Sequence, residues 1–135
     1  MKISQKKIFF IVIIILVLGV LAAILVNGSH KNVSNKYDAF ASCIKEKGVI
    51  FYGAFWCAHC NATKEFFGSS QKLLPYVECS APDGQAQTQE CIDKKITGYP
   101  TWVFADGSRI NGEIIEQNTK NLQILADKTS CILPK

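Results

Sequence analysis

No charge of either sign dominates the body of this chain. Residues 27–135 carry 12 Lys and Arg against 11 Asp and Glu, so most of the formal +4 belongs to the N-terminal tail. That leaves no basic patch of the kind that holds nucleic acid. Internal repeats and low-complexity tracts are also missing, which excludes solenoid architectures. The only histidines are His30 and His59, and apart from one C-x-x-C pair the cysteines are single and scattered. Zinc would need a second ligand pair of similar spacing, so no metal is expected, and nothing else in the sequence asks for a cofactor. The chain has 135 residues. Once its N-terminal segment is set aside, about 100 remain, enough for one domain with a modest core.

That segment, residues 8–26, lacks any charge or strong hydrogen-bonding side chain: IFFIVIIILVLGVLAAILV. As a helix it would cross a hydrocarbon layer of roughly 30 Å. A cleavable signal peptide usually has a shorter apolar region, about 7–15 residues, ending in a small-x-small site. The best such site here, Val26-Asn27-Gly28, is weak. An uncleaved transmembrane anchor is therefore expected over 8–26, with a cytoplasmic tail over 1–7. Lys2, Lys6 and Lys7 precede the span, whereas His30, Lys31 and Lys36 follow it, partly offset by Asp38. By the positive-inside rule this predicts a single-pass protein of the cell membrane with its C-terminal domain outside the cytoplasm. Residues 27–36 (NGSHKNVSNK) have no apolar period and read as a tether to a domain over 37–135.

Within that domain Tyr37, Phe40, Ala41 and Ile44 recur at helical spacing before Gly48, predicting a helix over 37–47. Val49 to Phe55 is a continuous apolar run, as in a strand buried on both faces. A helix follows Cys57 as far as Gly68, with Phe66 and Phe67 inward. Tyr76 to Cys79 is a short strand, and Ser80 to Gly84 a turn-rich loop. Gln87 to Ile96 reads as a helix with Cys91, Ile92 and Ile96 facing in. Strands over 101–105 and 108–110 flank Asp106-Gly107, a hairpin signal. A last helix covers 118–129, with Leu122 and Leu125 inward. This order predicts an α/β fold: a βαβ crossover, a β-hairpin and a covering helix, giving a sheet with helices on both faces.

Cys57 and Cys60, two residues apart at the start of a helix, can close a small disulfide ring. Unpaired backbone N–H groups there stabilise a thiolate, which makes Cys57 the expected nucleophile in disulfide exchange. His59, between the thiols, would favour that thiolate further as an imidazolium or hydrogen-bond donor. Cys60, a turn on and more enclosed, is suited to resolve a mixed disulfide. A static disulfide or half of a zinc site are the competing readings, and the strand–CxxC–helix setting argues for redox chemistry instead.

FYGAFWCAHC, the helix after it and Gly98-Tyr99-Pro100-Thr101 resemble the thioredoxin superfamily over roughly residues 37–131. The runs FYGAFWCAHCNATKEFFG, LLPYVECS and ITGYPTW are similar, more narrowly, to the thioredoxin-like domains that accompany bacterial and archaeal homologues of vitamin K epoxide reductase. The resemblance implies a thioredoxin-like fold, a central mixed sheet flanked by helices. It makes Cys57 the attacking thiol, Cys60 the resolving thiol, Trp56 the flanking surface aromatic and Pro100 a cis-proline, with the Tyr99 backbone pairing with an extended substrate. Two departures stand out. Many thioredoxins have an acidic residue six positions before the first cysteine, where this chain has Phe51. Ala58 stands where oxidising relatives often carry proline or glycine.

Six cysteines, all beyond the apolar span, fit an oxidising compartment. The four outside the motif allow three pairings, among which Cys79–Cys91 and Cys43–Cys131 are expected as structural disulfides, since Cys79 and Cys91 flank one loop, and Cys43 lies on the first helix with Cys131 just after the last. The expected activity is that of a protein thiol–disulfide oxidoreductase forming disulfides in exported cysteine-containing proteins, with a quinone-linked membrane partner like vitamin K epoxide reductase to reoxidise it. The alternatives are a disulfide reductase, for example in cytochrome maturation, and a redox-silent peptide-binding module.

Overall fold

The computed structural model describes residues 5–27 and 36–135. Helix α1 runs Gln5–Asn27, 23 residues. At 1.5 Å per residue that is about 34 Å long. Its side chains are described from Lys6 to Leu21, and all of them are exposed, with the apolar ones from Ile8 onward on every side. Counting only the described residues, no helix is long and apolar enough to cross a membrane. The far end of the span expected over 8–26 lies beyond those side chains. Residues 1–4 of the expected tail and 28–35 of the expected tether are outside the described residues.

Residues 36–135 contain α2 (Asp38–Glu46), β1 (Ile50–Gly53), α3 (Ala58–Phe67), β2 (Tyr76–Glu78), α4 (Gln89–Asp93), β3 (Thr101–Val103), β4 (Arg109–Asn111) and α5 (Lys120–Thr129), with a 3₁₀ turn at Gly68–Leu73. The strands form one mixed sheet in the order β2-β1-β3-β4. β1 pairs parallel with β2, and antiparallel with β3. Registers Phe51↔Tyr76, Phe51↔Trp102 and Trp102↔Ile110 place these four residues on one face. There Phe51 stacks on Trp102 at 4.3 Å and meets Tyr76 edge-on at 5.2 Å. Phe40, Ala41 and Ile44 of α2, Cys60 and Phe67 of α3, and Leu122 and Leu125 of α5 complete that core. On the other face Tyr52, Ile50, Val77 and Val103 pack with Cys79, Cys91 and Ile96. Helices thus cover both faces of a mixed sheet, the layering the order of elements predicts.

Two local expectations need correction. The helix predicted over 87–96 is only five residues long, and Ile92 is half exposed rather than inward. It stops because Lys95 takes a positive φ of 53°. Ile96 N–H then bonds back to Cys91 O (2.9 Å) and Lys95 N–H to Ile92 O (2.9 Å), a Schellman ending. Arg109 caps it from β4, its guanidinium donating to Lys94 O (2.7 Å) and Lys95 O (2.9 Å). The hairpin loop, for its part, has three residues, Ala105 to Gly107, closed by Phe104 N–H to Ser108 O and Gly107 N–H to Phe104 O. Gly107 has φ +81°, and the Asp106 carboxylate accepts both the N–H and the hydroxyl of Ser108. That combination suits a three-residue turn with a glycine bulge better than a two-residue one.

Disulfides join Cys43 to Cys131 and Cys79 to Cys91. The first ties α2 to the segment after α5 and closes a loop with a sequence separation of 88. Opening so long a loop in a small domain typically costs about 2–5 kcal/mol. A Cys43→Ala/Cys131→Ala double variant should lose stability in that range in urea unfolding followed by tryptophan fluorescence, and an unchanged midpoint would contradict it.

Candidate active site

The chain leaves β1 through Gly53 and Ala54 and turns sharply into α3. Cys57 N–H closes the turn on Ala54 O at 3.0 Å. Phe55 between them is gripped from both sides: its N–H donates to Glu78 Oε1 (3.1 Å), and its carbonyl accepts from Asn61 Nδ2 (3.0 Å). Cys57 is the N-cap residue of α3, with extended backbone (φ −75°, ψ 113°), and its sulfur accepts the Cys60 N–H at 3.3 Å. An N-cap normally uses a side-chain oxygen for this purpose. Here a thiol does it, so the helix start presents its N–H groups to sulfur.

Three residues on, Cys60 has turned into the core and is 0% exposed, against 6% for Cys57. Both are thiols rather than disulfide-bonded. Burial pushes the Cys60 thiol up to about 12; its hydrogen bond to Cys57 adds to the rise, while the Ala54 N–H and Lys64 oppose it. The two thiols are chemically unequal, since Cys60 stays a protonated thiol across neutral pH. A β-carbon on Gly53 would stand 2.8 Å from Tyr76 Cε2 and 2.9 Å from Cys60 Sγ. Only glycine lets ring and sulfur close over the strand there. Tyr76 donates its hydroxyl to Glu78 Oε2 (2.8 Å), and Lys64 Nζ lies over its ring, 3.4 Å from the centroid. Its phenol is also raised, by burial first, then by the Glu78 hydrogen bond and charge and by the two thiols.

His59 pairs with a side chain from beyond β4. Its Nδ1 lies 2.6 Å from Glu113 Oε2, and its side chain is two-thirds exposed. Glu113 belongs to the loop after β4, which docks on α3 where Ile114 N–H donates to Thr63 Oγ1 (3.0 Å). His59 and Glu113 thus stand in ion-pair geometry across 54 positions of sequence.

Trp56 is 55% exposed, with Nε1 donating to Ser80 Oγ (2.8 Å) and the ring edge-on to Tyr99 at 5.8 Å. Gly84 closes on Trp56 and Phe55: a β-carbon there would lie 3.6 Å from Phe55 Cζ and 3.7 Å from Trp56 Cδ1. Its loop is pinned by the Ser80↔Gln87 bridge and by the Cys79–Cys91 disulfide. The Tyr99–Pro100 bond is cis and Pro100 is buried, while the Tyr99 hydroxyl accepts from Gln87 Nε2 (2.8 Å). Among the described residues no hydrogen bond engages the Tyr99 backbone. The structure thus brings Tyr99 against Trp56, the neighbour of Cys57 in the chain, and pairs His59 with Glu113.

Tyr76, Glu78, Asn61 and Glu113 are functional candidates that sequence reading passed over. Asn61 alone had a local signal, standing one residue after the motif. Among the described residues, no group of three or more His, Cys, Asp or Glu side chains could hold a metal ion.

The sequence profile of the family described as Thioredoxin matches residues 29–128. The chain is 43% identical over 81 residues to the thiol-disulfide oxidoreductase LTO1 of Arabidopsis thaliana, a match covering 56% of this chain and 21% of that protein. It is 35% identical over 86 residues to the thioredoxin domain-containing protein 5 homolog of Drosophila melanogaster, covering 55% and 20%. It spans about a fifth of the length of each of these relatives.

The inequality of the thiols can be read directly. Alkylation depends on the thiolate, and a raised Cys60 forms one only as pH nears 12. In the reduced folded chain at pH 8, iodoacetamide should modify Cys57 and spare Cys60, as read by peptide mass spectrometry. Equal labelling of both would show that Cys60 is not enclosed.

Proposed function

Since this chain belongs to the thioredoxin family, we propose that it is a membrane-anchored thiol–disulfide oxidoreductase that forms disulfides in exported cysteine-containing proteins. In this reading a quinone-linked membrane protein similar to vitamin K epoxide reductase reoxidises it. The observation that carries the exchange chemistry is the inequality of its two thiols: Cys57 at the start of α3, at the edge of the core, and Cys60 wholly enclosed.

With the pair oxidised, a substrate thiolate attacks Cys57 Sγ, and Cys60 leaves as a thiolate and takes up a proton. A second substrate thiolate then attacks the substrate sulfur of the mixed disulfide, and Cys57 leaves. The substrate gains a disulfide and the protein becomes a dithiol. Its two electrons and two protons pass to the membrane partner, which leaves Cys57 and Cys60 joined again. The exposed faces of Phe55 and Trp56 offer apolar contact beside the attacked sulfur, and the unengaged Tyr99 backbone offers hydrogen bonds to an extended substrate segment. His59, held by Glu113, stands on the rim as a polar group for the incoming chain.

The location rests on three supports: the apolar run over 8–26, the lysines before it, and two disulfides outside the motif, a usage that suits an oxidising compartment. Expressed in bacteria, the full chain should stay with the membrane pellet through alkaline carbonate extraction. Release into the supernatant would remove the anchor from the proposal.

The reverse flow, reduction of extracytoplasmic disulfides, uses the same thiols, and Ala58, where oxidising relatives often carry proline or glycine, keeps both directions open. The reduction potential separates the two: a value near −270 mV, roughly that of cytosolic thioredoxin, makes the chain a reductase, and a value well above it makes the chain an oxidase. Oxidised protein should transfer its disulfide to a reduced, unfolded substrate, and Cys57→Ser should abolish transfer. Activity retained in Cys57→Ser, or peptide binding indifferent to serine at both thiols, would leave only a redox-silent binding module.

A further inference from the structure

Where β1 and β2 end, Cys79 N–H donates to Gly53 O at 2.7 Å. Beyond that bond the two chains part, β1 into the motif turn and β2 into the loop after Cys79. The next two N–H groups on either side, those of Phe55 and Ser80, go to one side chain. Glu78 Oε1 accepts Phe55 N–H (3.1 Å) and Ser80 N–H (2.9 Å), while Oε2 accepts the Tyr76 hydroxyl (2.8 Å). A single carboxylate oxygen therefore carries on the tie between the strands where their ladder stops.

Each of the two residues so held governs an exposed ring. Phe55 is half exposed, and so is Trp56, the next residue in the chain. Ser80 is buried, and its hydroxyl donates to Ala81 O (3.0 Å), which leaves its lone pairs for the indole: Trp56 Nε1 donates to Ser80 Oγ at 2.8 Å. From further along the same loop Gly84, at φ +74°, brings its backbone against Phe55 and Trp56. Phe55, Trp56 and Gly84 make an uncharged surface that reaches Cys57 through one peptide bond.

We propose that Glu78 is a positioning residue for substrate capture: it fixes the Phe55–Trp56 platform, which takes an apolar side chain next to the reacting cysteine of an unfolded exported protein. This rests on the dithiol-exchange reading and names the substrate class for it. Unfolded segments expose apolar side chains that folding will bury, so an apolar neighbour marks a cysteine not yet in its final place. Rings whose backbone is already fixed lose little freedom when such a segment binds, which is the gain from holding them beforehand. No proton or electron passes through Glu78 in this role. Nor does the role need its charge, since an amide oxygen accepts two N–H bonds equally well and an amide NH₂ donates to a phenol oxygen.

Oxidised full-length chain in detergent is mixed with one of three reduced dithiols. Dithiothreitol needs no platform. The other two are unfolded peptides with two cysteines each, flanked by leucine in one and by serine in the other. In every case the Cys57–Cys60 disulfide is reduced by two electrons and the dithiol is oxidised to its own disulfide, with the second-order rate constant read by acid quench and mass spectrometry. The parent chain should prefer the leucine peptide to the serine peptide about tenfold, the scale of one apolar side chain held in place. In Glu78→Ala that preference should fall to within about twofold, with the dithiothreitol rate constant also within about twofold of the parent. Glu78→Gln should keep the preference, and Ser80→Ala, which removes the indole acceptor, should lower it about threefold. A preference that survives Glu78→Ala overturns the proposal, as does a parent chain without one. Equal loss with all three dithiols in folded Glu78→Ala would mark a role in the fold alone and overturns it too, as does a Glu78→Gln that behaves like Glu78→Ala. Should Glu78→Ala not fold, Ser80→Ala carries the test, and an unreduced preference there overturns the proposal. A parent chain that oxidises none of the three, dithiothreitol included, would instead bring down the oxidoreductase reading beneath it.

Discussion

The closest constraint in this fold is the contact over Gly53, where the Cys60 sulfur and the Tyr76 ring close on bare backbone at distances that leave no space for a β-carbon. Because α3 must lie low enough on the sheet for Cys60 to reach that point, its first turn is pressed against the end of β1. Because Tyr76 must reach it from the neighbouring strand, the β1–β2 register is held at Phe51↔Tyr76. The aromatic row Tyr76–Phe51–Trp102 then forms the floor behind the sulfur. An apolar floor of this kind keeps Cys60 protonated, and it separates the two cysteines of one short motif into an outer and an inner thiol.

The turn before α3 depends on a second device of a different kind. Glu78 has one oxygen on the Tyr76 hydroxyl and the other on two backbone N–H groups, those of Phe55 and Ser80. A partly buried carboxylate satisfied by three donors is inexpensive to bury. It also links three parts of the site: the motif turn, the strand beside it and the loop that supports Trp56. The Cys79–Cys91 disulfide holds the base of that loop, so its place in the architecture is next to the exposed Trp56 rather than in the deep core alone.

Much of this could be read from local pattern. The apolar spacing of Phe40, Ala41 and Ile44, the run through β1, and Leu122 with Leu125 each reflect one element facing one core, and the motif at Cys57 carries its helix-start geometry within four residues. What escaped depends on groups brought together from far along the chain. The helix at Gln89 ends early at the left-handed Lys95, and Arg109, 14 and 15 residues on, holds the carbonyls of Lys95 and Lys94 just past that end. Periodicity alone carries no trace of that. Glu78 looked like an ordinary strand residue because its bond to Phe55 spans 23 positions. His59 has thiols as its near neighbours in sequence, and the Glu113 that meets its Nδ1 lies 54 positions on. The absence of a carboxylate at Phe51 was legible, and what faces the inner thiol in its place was not.

The bridge between Cys43 and Cys131 has a mechanical consequence. It joins the first helix of the domain to the segment after its last, with Cα atoms 5.9 Å apart. Tension applied between the chain before Cys43 and the chain after Cys131 would run across one covalent crosslink, and the sheet, the motif turn and both reactive sulfurs lie off that line of force. A domain tethered at one end and hauled on from the other would therefore keep its reactive centre unstrained for as long as the crosslink stayed oxidised.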